Sequence, residues 1–257
     1  MTELEPRLAA LWFQMLGQGG IVFLRVAAAV ALLPGFGETV IPVRVRLGLA
    51  VALTLVVAPV VALVPDGGGG IARFPVYLAT ETLAGLSLGI VLRLLVQALQ
   101  TAGTIAAQSA SLAQLFAGAG AEPMPALSHL MVSSALALAM MWGLAGQAAR
   151  ALILTYEVWP AGDVPSAALM REWGVAVVGQ SFTLAFTLAM PFLIAGLLYN
   201  LALGAINRAM PGLMVAMIGA PAMALGMLVL AALTLPSGLL LWAGALGGAL
   251  GDPFGGP

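Results

Sequence analysis

Residues 173–207 read WGVAVVGQSFTLAFTLAMPFLIAGLLYNLALGAIN, a stretch without a single Asp, Glu, Lys or Arg. A helix crossing the hydrocarbon core of a bilayer needs about 20 mostly apolar residues, and this stretch exceeds that. Four more intervals share the property: 47–65, 94–121, 123–149 and 209–251. Over all 257 residues, 62% are hydrophobic and 7% charged, and the mean hydropathy is +1.10. A soluble domain carries about 25% charged residues. The fold class that follows is all-α, a polytopic integral membrane protein.

The excluded functions follow from the same composition. Nine Lys plus Arg against ten Asp plus Glu leave a net charge of -1, so the cation surplus of a nucleic-acid binder is missing. Cys is absent, which removes disulfides, thiolate metal sites and thiol nucleophiles. His129 is the single histidine, so no two-histidine metal site can form within the chain. It follows Ser128, and neighbours on a helix do not face each other; a Ser-His pair would have to recruit a distant serine such as Ser181. The glycine run 67–70 lacks the lysine of a phosphate-binding loop. No catalytic, cofactor-binding or metal-binding set emerges, and the chain is not expected to be an enzyme.

Six long hydrophobic segments are expected, at about 7–33, 42–64, 74–116, 126–155, 168–207 and 212–250. Pro34-Gly35 stops the first, and Pro65 with the glycine run makes a loop after the second. The third is too long for one simple span and is expected to bend near Gly103 or to run beyond the bilayer. Pro191, Pro221 and Pro236 fall inside the last two, where kinked or broken helices are expected. The start lacks a basic n-region and cleavage site, so the first segment reads as retained. No tandem repeat is visible, and the chain reads as one membrane-embedded domain, 1–257. Arg44 and Arg46 form the one basic pair in a short connection and favour a cytoplasmic side for it. An even number of crossings then places both termini outside.

The few polar residues carry the rest. On the third segment Glu81, Gly85, Gly89, Arg93 and Gln97 recur every fourth residue, which lays them along one drifting helical stripe. Glu81 and Arg93 lie about 18 Å apart along the axis, so each needs a partner elsewhere. The stripe is either a packing face with a snorkelling charge at each end, or a face toward a protein partner or an aqueous path. Gly196, Asn200, Gly204 and Arg208 repeat the pattern on the fifth segment, and the amide of Asn200 must face protein or water rather than lipid. Arg25, inside the first segment, is a third cation needing explanation, and snorkelling to the segment's end is the plain one. Met210, Met214 and Met217 serve as flexible packing or as a deformable seal around a narrow conduit. Gln97, Gln100, Gln108 and Gln114 line a wet path or bond between helices.

Ala189-Met190-Pro191, Asn200, Gly204, Asn207-Arg208, Met210-Pro211 and Gly219-Ala220-Pro221, taken in order, resemble the signature region of the FliR/SpaR family of flagellar and type III secretion export-gate proteins. Pro34-Gly35-Phe36-Gly37 followed by Pro42 and Arg46, the acidic-then-glycine helix of Glu81, Gly85 and Gly89, the stretch 102–125 and the turn Pro160-Ala161-Gly162 agree with it. The resemblance covers nearly the whole chain. It implies helical hairpins wound into a hetero-oligomer with FliP-like and FliQ-like membrane proteins, with an FlhB-like switch protein nearby. It also implies residence in the bacterial inner membrane at the flagellar basal body, in contact with membrane lipid, and passage of unfolded protein subunits through a narrow pore. A plug in the loop 109–125 is implied, with Leu112, Leu115, Phe116, Gly118 and Gly120 as its small and apolar residues. A virulence-type secretion gate is the alternative within the family. A small-molecule secondary transporter is the alternative outside it, although such a transporter should show an internal repeat.

Overall fold

The computed structural model describes residues 4–38, 41–61, 73–115, 126–210 and 215–255. Lipid offers backbone N–H and C=O groups no partners, so an apolar chain closes its hydrogen bonds within helices. The described residues form seven: α1 (Leu4–Leu32), α2 (Val43–Val57), α3 (Phe74–Leu115), α4 (Ala126–Met141), α5 (Leu144–Val158), α6 (Ala167–Ala209) and α7 (Val215–Gly251). Buried and exposed hydroxyls alike follow the same constraint: Thr54, Ser87, Thr187 and Thr234 each donate to the carbonyl four residues back in their own helix.

Local chemistry sets the ends. After α1 the chain turns through Gly35 at φ 76, and the Gly37 N–H closes on the Leu33 carbonyl at 2.6 Å. Pro42 begins α2, accepting from the N–H of Val45 at 2.9 Å. Arg44 and Arg46 therefore stand in the first turn of a helix rather than in a connection, and Arg46 donates to the Ile41 carbonyl at 3.0 Å. Ser166 caps α6 through its hydroxyl, which accepts from the Leu169 N–H at 3.2 Å.

Two expectations about breaks change places. The segment expected as one helix at 126–155 is two, α4 and α5, separated at Trp142-Gly143 with Gly143 at φ 75. Only glycine takes that conformation cheaply, and the Gln147 amide holds the break by donating to the Trp142 carbonyl at 2.9 Å. Conversely, α6 continues through Pro191, and α7 through Pro221 and Pro236, as single elements. α3, α6 and α7 have 42, 43 and 37 residues, hence lengths of roughly 55–65 Å at 1.5 Å per residue, about twice a hydrocarbon core. All three contain stretches long and apolar enough to cross a membrane, and α4 with α5 qualifies as a fourth, broken span.

The chain divides into two compact units interleaved in sequence. Unit 1 comprises Met1–Leu94, Met140–Val177 and Leu246–Pro257; unit 2 comprises Leu95–Ala139 and Val178–Ala245. Within unit 1, Val22, Val26, Ala29 and Val30 of α1 and Ala84, Leu88 and Leu92 of α3 are buried. α2 buries Ala50, Leu53 and Val57, and Phe254 near the end of the chain sets its ring against Trp159 and Trp173 at 5.8 and 5.6 Å. Within unit 2, Ala106, Phe192, Met223, Met227 and Ala231 form the core. Trp242, fully buried, donates its indole N–H to the Leu95 carbonyl at 2.9 Å. Gly103 lets α4 approach α3 so closely that a Cβ there would overlap Ser128.

Candidate functional site

Unit 1 is organised around one buried ion pair. α1 supplies Arg25 and α3 supplies Glu81, both with side chains 0% exposed. The guanidinium grips the carboxylate with two bonds, Nε to Oε2 at 2.9 Å and Nη2 to Oε1 at 3.2 Å. Its remaining donors reach the Thr155 hydroxyl at 3.1 Å and the Trp159 carbonyl at 2.9 Å. Glu81 in turn accepts from the Gly162 N–H at 3.1 Å. The Tyr156 ring covers the cation, its centroid 3.6 Å from Arg25 Cζ. Desolvating two charges is costly, and such a pair is tolerated only with good geometry and further hydrogen bonds; this cluster has both. It ties α1, α3, α5 and the turn after α5 together at one point.

Glycine makes that point reachable. A Cβ on Gly85 would overlap the Arg25 carbonyl, and one on Gly89 would stand 2.8 Å from Leu32 Cβ. Further along, Arg93 bonds Glu38 at 3.2 Å with each side chain about one-third exposed. The stripe Glu81, Gly85, Gly89 and Arg93 is thus covered inside the chain, by α1 and the turn that follows it. Gln97 is exposed, as are Gln100 and Gln108. Arg25 is paired rather than snorkelling. The sequence did not reveal Thr155, Tyr156, Trp159 and Gly162 as parts of this cluster. Two of them contribute backbone groups, which carry no sequence signal. The Pro160-Ala161-Gly162 turn, with Gly162 at φ 77, was the available hint.

The second stripe is divided. Gly196 is buried, with a Cβ there only 3.0 Å from Ser109 Cβ. Asn200 is half-buried, and its Oδ1 is enclosed with no hydrogen-bond partner among the described residues. Gly204 and Arg208 are exposed, and nothing lies within 4 Å of a Cβ built on Gly204. Met210 is exposed, Met214 lies outside the described residues, and Met217 belongs to α7 with its side chain outside the description. Of the implied plug, Leu112 and Leu115 fall in the last turns of α3 rather than in a loop, and Phe116, Gly118 and Gly120 lie outside the described residues. Ser128 turns inward and donates to the Gln100 carbonyl at 3.2 Å, while its neighbour His129 is exposed. No group of three or more metal-ligating side chains occurs among the described residues.

Long apolar helices, an ion pair closed off from any substrate and a second polar stripe left open define a polytopic helical membrane protein. Residues 16–248 match the family model described as bacterial export proteins, family 1, and the chain belongs to that family. It is 33% identical over 233 residues to the flagellar biosynthetic protein FliR of Caulobacter vibrioides, covering 86% of this chain and 90% of the relative. The FliR of Aquifex aeolicus is 29% identical over 216 residues, 83% of each chain. That of Escherichia coli is 30% identical over 205 residues, 77% of this chain and 76% of the relative. The chain is a membrane-embedded component of flagellar protein export.

Proposed function

We propose that this chain is a structural, pore-forming subunit of the flagellar type III export gate in the bacterial inner membrane, through which unfolded flagellar subunits pass. The observation that carries the reading is the extent of the family match. Residues 16–248 take in most of both compact units, so the whole architecture, and not one anchoring helix, is common to proteins of bacterial export. The surface of α7 supports it. Ala222 and Gly226 are exposed four residues apart, and nothing lies within 4 Å of a Cβ built on Gly226. Glycine costs a helix about 1 kcal/mol against alanine, and in lipid such small-residue pairs are where a second helix comes close. Leu225, Leu228, Val229 and Leu233 flank the pair, each more than 60% exposed. The partners this face suits are apolar helices of FliP-like and FliQ-like membrane proteins, with an FlhB-like protein beside them.

The test is affinity purification of the tagged chain from its native membrane in mild detergent, with mass spectrometry of what accompanies it. Stoichiometric recovery of small FliP-like and FliQ-like proteins is expected. Gly226→Leu, at a position where an added Cβ meets nothing within 4 Å, should fold normally, lose those partners and stop flagellin secretion. A lone chain recovered from secreting cells would overturn the reading.

A further inference from the structure

We infer that unit 2 binds one glycerophospholipid, its acyl chain in the cleft between α3 and the part of α6 that follows Pro191 and its phosphodiester on Arg208. The cleft holds about 700 Å³, inside the roughly 300–1,000 Å³ range of pockets that enclose small molecules. Ile105 of α3 and Leu193, Ile194 and Leu197 of α6 form its apolar wall, and Gln108 and Asn200 bring the polar groups. Hydrocarbon alone does not account for that lining, because the enclosed Asn200 Oδ1 has no hydrogen-bond partner among the described residues. A carboxamide can turn over and put its N–H donor where the oxygen stands, which suits an ester carbonyl.

The order of groups along α6 selects the occupant. The apolar wall comes first, then the amide of Asn200, then the open surface of Gly204, then Arg208. At 1.5 Å per residue, Asn200 lies about 9 Å beyond Ile194 and Arg208 about 12 Å beyond Asn200. Helical side chains lean toward the N-terminus, so Arg208 reaches back over Gly204, where no side chain intervenes. A phospholipid presents chain, ester and phosphodiester in that sequence. Arg208 is exposed with no ion pair or hydrogen bond among the described residues. A guanidinium binds phosphate oxygens with two parallel N–H donors. It stands one residue before the end of α6, as a cation at the edge of a bilayer should.

The test uses the full chain in vesicles of phosphatidylethanolamine and phosphatidylglycerol, containing a trace of phosphatidylglycerol with a diazirine in its acyl chain. Photolysis and peptide mapping should place adducts on Ile105 and on 193–197 well above those on the exposed face of α7. Arg208→Gln should lower the cleft adducts by about tenfold or more, the effect of losing one charge-assisted hydrogen bond, and Arg208→Lys should restore part of them. A diacylglycerol with the same diazirine, lacking the phosphate, should label both proteins alike. Equal labelling of the cleft and α7 would mean bulk lipid only and overturn the site, as would an unchanged pattern in Arg208→Gln. Repeating the photolysis in native membranes gives the third refutation, cleft residues joined to a neighbouring protein instead of lipid. The inference needs only the membrane-embedded chain, so failure of the partner purification leaves it standing.

Discussion

Replacing Glu81 by Gln removes one charge and almost no volume from the centre of unit 1. The Arg25 guanidinium is then 0% exposed with no counter-ion, since its other partners are the neutral Thr155 hydroxyl and Trp159 carbonyl. Breaking a buried pair by deleting one partner costs about 3–5 kcal/mol. For a chain of this size, each kcal/mol shifts Tm by about 2–4 °C, so the loss should be roughly 6–20 °C. Thermal unfolding of the full chain in mild detergent, followed by tryptophan fluorescence, measures it. The double variant Arg25→Met with Glu81→Met removes both charges. It forfeits the bonds to Thr155, Trp159 and Gly162, at about 1 kcal/mol each, but escapes the uncompensated charge. It should therefore be no less stable than Glu81→Gln, and the losses measured for Arg25→Met and Glu81→Met singly should fail to add. Arg93→Gln, at the half-open pair with Glu38, should cost at most about 1 kcal/mol. A Glu81→Gln protein melting within about 2 °C of the parent, or single losses that sum in the double variant, would refute the account of this cluster.

Gly85→Val pushes a side chain into the Arg25 carbonyl and should separate α1 from α3. The membrane level of the protein and its Tm should fall by the equivalent of about 1–3 kcal/mol or more, while Gly146→Ala, with open space around it, should be neutral or slightly stabilising. Trp242→Phe deletes the indole bond to the Leu95 carbonyl and leaves a gap in a fully buried site. About 1–3 kcal/mol of stability should be lost, and a Tm equal to the parent's would show that the indole N–H contributes nothing. His129→Ala, at an exposed position, should leave both Tm and flagellin secretion unchanged; loss of secretion with normal folding would give the histidine a role that its surroundings do not suggest.

The helices were legible because lipid leaves an apolar chain little choice, and their ends were legible where Pro34-Gly35 or Pro42 punctuates the run. The break at Trp142-Gly143 was not. A lone glycine inside an apolar run reads as a tolerated helix residue, and only the φ of 75 at Gly143 shows that it ends one. Pro191, Pro221 and Pro236 do not end a helix, since a helix in an apolar assembly can re-satisfy the groups that proline frees. The fourfold spacing of Gly85 and Gly89 announced a close approach without naming the helix that makes it. Glu81 likewise announced a need for a partner, but Arg25 lies 56 residues away, and no local pattern links them.

The two stripes, alike in sequence, have opposite fates for a physical reason. Between lipid-embedded helices there is no hydrophobic drive, so close packing and polar bonds have to hold them. In unit 1 both requirements are met inside the chain: glycines on α3 admit α1, and Arg25 satisfies Glu81 at the contact. In unit 2 Gly196 is covered within the chain by Ser109, while the Asn200 Oδ1 has no hydrogen-bond partner among the described residues and Gly204 and Arg208 stay open. A polar residue left open on an apolar helix lowers the stability of the isolated chain unless something else covers it. The stripe on α3 is accordingly the place to look for stability, and the stripe on α6 the place to look for what the chain binds. Substitutions at Glu81 should change melting before export, and substitutions at Arg208 should change binding without changing melting.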